Sequence, residues 1–161
     1  MTTLYIIRHG IAAEPGAYAS DGDRPLTDKG RHRTQQVAER LAKKVHVALI
    51  STSPLVRAQQ TAEILLETGV GDRLQISEYL SPGGDFHQWL DWLAQWSGET
   101  LAIVGHQPDL GIWAERLLWG DVRGCLEVKK ASVLGLSLPE VGSPEGRSGL
   151  FWLTPPRLLL D

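Results

Sequence analysis

Sulfur is nearly absent from this chain, which has one cysteine, Cys125, and one methionine in 161 residues. A single thiol excludes an internal disulfide and points to a reducing compartment or indifference to redox. No second ligand-rich cluster surrounds Cys125, so it reads as a small hydrophobe. Long apolar runs are also missing, and no stretch reads as a membrane-spanning helix. Met1-Thr2-Thr3 carries no basic side chain, and the apolar run behind it stops at Arg8, which is not the pattern of a secretory signal. These absences predict a soluble cytoplasmic protein with no membrane partner. Basic excess is lacking as well. Sixteen Lys and Arg against 19 Asp and Glu leave a net charge of -3, which argues against a general nucleic-acid binder. The five histidines, His9, His32, His46, His87 and His106, show no close pair at ligand spacing and no accompanying carboxylate cluster. No metal and no cofactor is therefore predicted.

What is present is ordinary for a globular protein: 42% hydrophobic and 22% charged residues. The length supports one core, and residues 1–161 read as a single domain. Leu4-Tyr5-Ile6-Ile7 reads as a buried strand that ends abruptly in Arg8-His9-Gly10. The glycine is read as letting the backbone turn sharply and a ligand come close. A polar loop follows, from Ile11 to about Pro25. Thr27 or Asp28 then caps a helix whose apolar stripe is Val37, Ala38, Leu41, Ala42 and Val45. Lys43 and Lys44 near its end suit the helix dipole.

Val47-Ala48-Leu49-Ile50 reads as a second strand, broken at Ser51-Thr52-Ser53-Pro54. Ser53 with Pro54 at the first helical position is a good helix start. Arg57 then lies on the first turn of a helix running to Gly69. Leu74 to Leu80 is a short strand or extended loop, and Ser81-Pro82-Gly83-Gly84-Asp85 a turn. Phe86, Trp89, Leu90, Leu93 and Trp96 recur at helical spacing with no interleaved cation, which favours core or flap packing over a base-stacking surface. Thr100 to Val104 is the next strand, ending in Gly105-His106-Gln107-Pro108, with a helix starting at Pro108. Ala131 to Leu136 and Ser148 to Leu153 read as the closing strands, separated by a surface loop at Pro139 to Gly146. Strand–helix alternation with short connections predicts an α/β fold with a mostly parallel central sheet.

In such a sheet, ligands gather at the carboxyl ends of the strands. Three strand ends carry Arg8-His9, Arg57 and Gly105-His106. Guanidinium forks match phosphate oxygens and stay charged at any ordinary pH, and a helix N-terminus beside Arg57 adds favourable N–H groups. The imidazoles add more than binding. A neutral ring nitrogen is a nucleophile toward phosphorus, provided its tautomer is fixed by its other nitrogen.

Arg8-His9-Gly10 after a first strand resembles the signature of the histidine phosphatase superfamily, with its phosphoglycerate-mutase-like fold. Leu26-Thr27 with Gly30, then Ser53-Pro54 with Arg57-Ala58 and Gln60-Thr61-Ala62, is similar to the second block of that family. Gly105-His106 with Pro108 is similar to the third. The blocks occur in family order and cover the chain to about Ser132. Asp23 to Thr27, Leu80 to Asp85 and the tail from Trp152 to Pro156 resemble the phosphohistidine phosphatases of the SixA type.

The resemblance implies a three-layer α/β/α architecture. It implies His9 as nucleophile and Arg8, Arg57 and His106 as the phosphate pocket. Arg24 either joins that pocket or forms a surface ion pair. Relatives that cleave esters carry an acid for the leaving oxygen. The nearest candidates here are Glu78 and Asp85, each of which also reads as a loop or capping residue. Cations and a nucleophile without an assured acid fit a phosphohistidine on a partner protein, and the absence of room for a long lid fits an open pocket. A phosphatase for small phosphate monoesters and a non-catalytic phosphate-binding module are the alternatives.

Overall fold

The computed structural model describes residues 1–160. Six strands form one sheet in the order β3-β2-β4-β1-β5-β6. They are β1 (Thr3–Arg8), β2 (Leu49–Thr52), β3 (Leu74–Ile76), β4 (Thr100–Gly105), β5 (Val133–Ser137) and β6 (Gly149–Thr154). The first four are mutually parallel, and β5 runs antiparallel to both β1 and β6. The helices are α1 (Asp28–Leu41), α2 (Val56–Glu67), α3 (Phe86–Gln95), α4 (Asp109–Trp119) and the short α5 (Arg157–Leu160).

The period of two along each strand divides the apolar residues between two faces. Leu4, Ile6, Leu101, Ile103, Leu134 and Leu136 pack with Trp89 of α3 and Trp113 of α4. Ile7, Ile50, Ala102 and Val104 pack on the other face against Val37 and Leu41 of α1, Ala58 and Leu65 of α2, and Leu159 of α5. The result is the three-layer α/β/α arrangement. The aromatic stripe is core, as its spacing predicts: Trp89 is fully buried, and its ring centroid lies 5.1 Å from that of Trp113.

Several boundaries differ from the sequence reading. The second strand lies two residues further on. Ser51 and Thr52 are buried within it, while Val47 makes only an isolated bridge to Gly71. A parallel strand between two neighbours buries both faces, so polar side chains there do not end it. The helix after it starts at Val56 and not at Pro54, with Leu55 at the cap position and no side-chain cap bond. Lys43 and Lys44 fall beyond the end of α1, in a turn closed by bonds from their N–H groups to Arg40 and Leu41. Cys125 is exposed and not a buried hydrophobe. Its backbone N–H and those of Arg123, Gly124 and Leu126 all donate to the buried Glu115 carboxylate. That drawn-in backbone turns the thiol outward and holds the Glu115 carboxyl at about 2, well below the usual range despite its burial.

Gly10 also has a different reason from the one its position suggests. Its φ is not positive. A Cβ there would meet Thr34 Oγ1 of α1 at 2.2 Å. The glycine lets α1 lie against the end of β1, and so sets the height of the helix over the sheet. Gly30 does the same from the helix side, where a Cβ would fall 1.9 Å from the Ile11 carbonyl oxygen. Backbone cannot swing aside as a side chain can. Gly30→Ala is therefore expected to destabilise the protein by roughly 1–3 kcal/mol or more, read as a lower denaturant midpoint. An unchanged midpoint contradicts this account of the α1 contact.

Candidate active site

Sheet register builds the site. Arg8 pairs with Gly105 at the carboxyl ends of β1 and β4, and Thr52 pairs with Val104 one strand over. The His9 N–H donates to the Gly105 carbonyl, and the Ser53 N–H to the Val104 carbonyl. Three chain segments thus leave the sheet side by side. The rings of His9 and His106 end with centroids 5.2 Å apart. Both are buried, at 6% and 4% exposure. On the far side, the Ala131 N–H donates to the carbonyls of Arg8 and His9, and the Arg8 N–H donates to the Ser132 carbonyl. Two neighbouring strands therefore fix the backbone of this dipeptide from both edges.

A cavity of about 390 Å³ opens there, with Arg8, His9, Arg24, Arg57, His106 and Lys130 among its lining residues. The loop after β1 supplies Ala12 to Pro15, Asp21 and Arg24 as one wall, and Pro82 and Gly83 belong to another. Five of the seven residues singled out from the sequence, Arg8, His9, Arg24, Arg57 and His106, line this one cavity. Glu78 and Asp85 do not. Glu78 is exposed and accepts a bond from the Ser81 hydroxyl, while Asp85 caps α3 by accepting from the Gln88 N–H. Arg24 combines its two sequence readings, since it lines the cavity and pairs with Asp21 at 2.8 Å.

The hydrogen bonds decide what each ring can do. His9 Nδ1 lies 2.7 Å from the Gly10 carbonyl oxygen. A carbonyl only accepts, so Nδ1 carries the proton and Nε2 keeps its lone pair. The Gly10 N–H is held in turn by Thr61 Oγ1, which itself donates to the Arg57 carbonyl. His106 Nε2 lies 2.7 Å from Ser53 Oγ. That oxygen also accepts from the Leu55 N–H, and its own proton has no other acceptor among the described residues, so it donates to Nε2. His106 Nδ1 then carries a proton. Nδ1 is buried without a hydrogen-bond partner, as are Nε of Arg8 and Nε of Arg57. Buried polar nitrogens are normally paired. Three such atoms on residues of one cavity, all able to donate, suit an oxyanion.

Asp21 organises the arginines. Arg57 donates to its carbonyl at 2.8 Å and to its carboxylate at 3.0 Å, and Arg24 Nε donates to the other carboxylate oxygen at 2.8 Å. Arg8 donates to the Val128 carbonyl. Sequence reasoning missed Asp21, which sits in a polar loop 36 residues from Arg57. It took Ser53 for a helix cap, and Lys130 carries no local signal.

Burial pushes His9 down to about 3, helped by His106, Arg57 and Arg8 and opposed by the bond to Gly10. Burial again leads in pushing His106 down to about 4, with Arg57 acting in the same direction. Both rings are therefore neutral at pH 7. A depressed pKa contributes stability that is present above the ordinary value near 6.5. That stability is lost as pH falls toward 4 and then 3. In phosphate-free buffer, NMR is expected to find both rings uncharged down to pH 5. His46, bonded to the Gly69 carbonyl and the Asp72 carboxylate, titrates above the ordinary imidazole range. A midpoint near 6.5 for His9 contradicts the assigned environment.

Among the described residues no cluster of His, Cys, Asp and Glu has metal-binding geometry. No helix among them is long and apolar enough to cross a membrane.

Comparison with known proteins agrees with this geometry. An uncharacterized protein of Picosynechococcus sp. is 46% identical over 162 residues, spanning 98% of each chain. Phosphohistidine phosphatase SixA of Escherichia coli is 32% identical over 128 residues, spanning 73% of this chain and 75% of that one. The solved structure of the protein histidine phosphatase SixA complexed with tungstate matches with a TM-score of 0.84. It covers 98% of this chain and 99% of its own at 24% identity, a likeness of fold. Residues 4–81 match the family model of the histidine phosphatase superfamily, branch 1. With an arginine-lined cavity at the strand ends and a SixA-like relative over most of its length, this chain belongs to the histidine phosphatase superfamily.

Proposed function

We propose that this protein hydrolyses phosphohistidine on a partner protein through a covalent phosphoenzyme on His9, with no cofactor. The carrying observation is the Nδ1 bond to the Gly10 carbonyl, which leaves an uncharged Nε2 lone pair on a ring lining the same cavity as Arg8 and Arg57. In the first step Nε2 attacks phosphorus, and the bond to the substrate imidazole breaks. The departing imidazole nitrogen takes a proton from water. In the second step water attacks phosphorus, releasing inorganic phosphate and restoring neutral His9. Arg8, Arg57 and the Nδ1–H of His106 hold the equatorial oxygens through both steps. Arg24 assists from the wall.

Support for the substrate class is chemical. An alkoxide needs a proton donor to leave, whereas an imidazole leaves readily. Asp21 is engaged by arginines, and Asp109 accepts from the Gly83 N–H at 2.7 Å. The SixA relative is a phosphohistidine phosphatase by name. Tungstate, bound in the solved SixA structure, is a tetrahedral oxyanion like phosphate.

The test compares kcat/KM on a protein phosphorylated at histidine by phosphoramidate with kcat/KM on simple phosphate esters. The phosphohistidine protein is expected to be favoured by at least about tenfold, an advantage of about 1.4 kcal/mol in the barrier. Ester preference overturns the substrate assignment and transfers attention to Glu14, the remaining carboxylate of the cavity wall.

A further inference from the structure

The cavity does not end at Arg8. A second concavity of about 460 Å³ shares Arg8 and Lys130 with it and is also lined by Ile11, Arg33, Glu127 and Lys129. A third, of about 390 Å³, shares Arg33, Glu127 and Lys129 with the second and continues to Leu153 and Arg157. The three adjoin one another through these shared side chains and make a trough that leads away from His9 past the start of β5. The two outer concavities carry Arg33, Lys129, Lys130 and Arg157 against one carboxylate, Glu127. None of these four cations is in an ion pair among the described residues. In a chain of net charge -3, such a predominantly positive strip beside the site is a local inversion of the overall charge. Between the cations most of the lining is apolar, with Ile11, Ala131, Leu153, Pro155 and Pro156 beside the hydroxyls of Thr34 and Ser132.

Resting on the phosphohistidine reading above, we propose that this trough docks an acidic segment of the partner polypeptide next to its phosphohistidine. Opposite charge at an interface steers the encounter and sets the register more than it adds raw affinity. The apolar floor suits an aliphatic side chain between the acids. Single-stranded nucleic acid, the other polyanion of this shape, binds on aromatic platforms, and no aromatic residue lines either outer concavity. The observations therefore favour a polypeptide.

Two synthetic phosphohistidine peptides, differing only in Glu or Gln flanks, separate the possibilities. The wild type is expected to prefer the Glu peptide in kcat/KM by about tenfold or more at low salt, mainly through KM. The preference shrinks as salt rises. In the triple variant Arg33→Glu, Lys129→Glu, Arg157→Glu it falls to about one or below, while turnover of free phosphohistidine is unchanged. A wild-type ratio near one overturns the docking trough and leaves the catalytic reading standing. Equal loss on free phosphohistidine also overturns it, because the three residues then act on the pocket itself. Binding of the unphosphorylated peptides, followed by fluorescence, reads the trough without turnover. Preferential Glu-peptide binding by an enzyme that spares both phosphopeptides supports the trough and sinks the catalytic reading. Tighter binding of a single-stranded oligonucleotide overturns the polypeptide assignment.

Discussion

Replacing His9 with alanine is expected to lower turnover by roughly four orders of magnitude or more, the scale of losing a nucleophile. No other ring can take over. His106 carries its proton on Nδ1 as His9 does, but Ser53 occupies its Nε2 lone pair, so the nitrogen left free is a donor and not a nucleophile. The fold is expected to survive, because residue 9 is anchored through its backbone to Gly105 and Ala131. Orthophosphate binding should persist as well, since Arg8, Arg24 and Arg57 all remain in the pocket. The measurement is kcat on a phosphohistidine protein, with circular dichroism and phosphate binding alongside. A loss of less than about tenfold means that His9 is not the nucleophile.

Arg57→Ala is expected to cost about 10²- to 10³-fold in kcat, the scale of one lost donor to a developing oxyanion. Arg57 is 5% exposed and stands on the first turn of α2. Its two terminal nitrogens span the carbonyl and carboxylate of Asp21. Its removal therefore deletes a charge at the phosphate and also frees the wall loop that carries Arg24. Arg57→Lys is expected to recover little of the loss, because a single ammonium cannot reproduce the planar fork. If lysine restores near-normal turnover, charge alone matters and the bidentate clamp on Asp21 is incidental. Asp21→Asn separates the two effects. It keeps the guanidinium but weakens its tether, so it is expected to fall between wild type and Arg57→Lys.

The sequence made the strand ends legible because short apolar runs stop sharply at cations and imidazoles, as at Ile7-Arg8 and Val104-Gly105-His106. Parallel register then brings such ends together with no further information. What stayed hidden was set by partners far along the chain. Ser53 looks like a cap beside Pro54, and only the neighbouring β4 reveals His106 as its partner, 53 residues away. Asp21 resembles its polar neighbours until Arg57 is folded against it. Glu115 carries no local mark of burial, yet it is buried and gathers four N–H groups of the loop before β5. Gly10 was legible as special, but the object approaching it is the Thr34 side chain of α1. Hydropathy alone ends the second strand at Ser51 and Thr52, because it ignores how a central parallel strand is covered on both faces.

Trapping the phosphoenzyme tests the central claim most directly. The protein is quenched in alkali during turnover of a labelled phosphohistidine protein, and the modified peptide is mapped. Label that is stable in base, lost in acid and confined to the imidazole of His9 is the predicted result. Label on another residue, or release of phosphate with no covalent label under conditions of steady turnover, contradicts it.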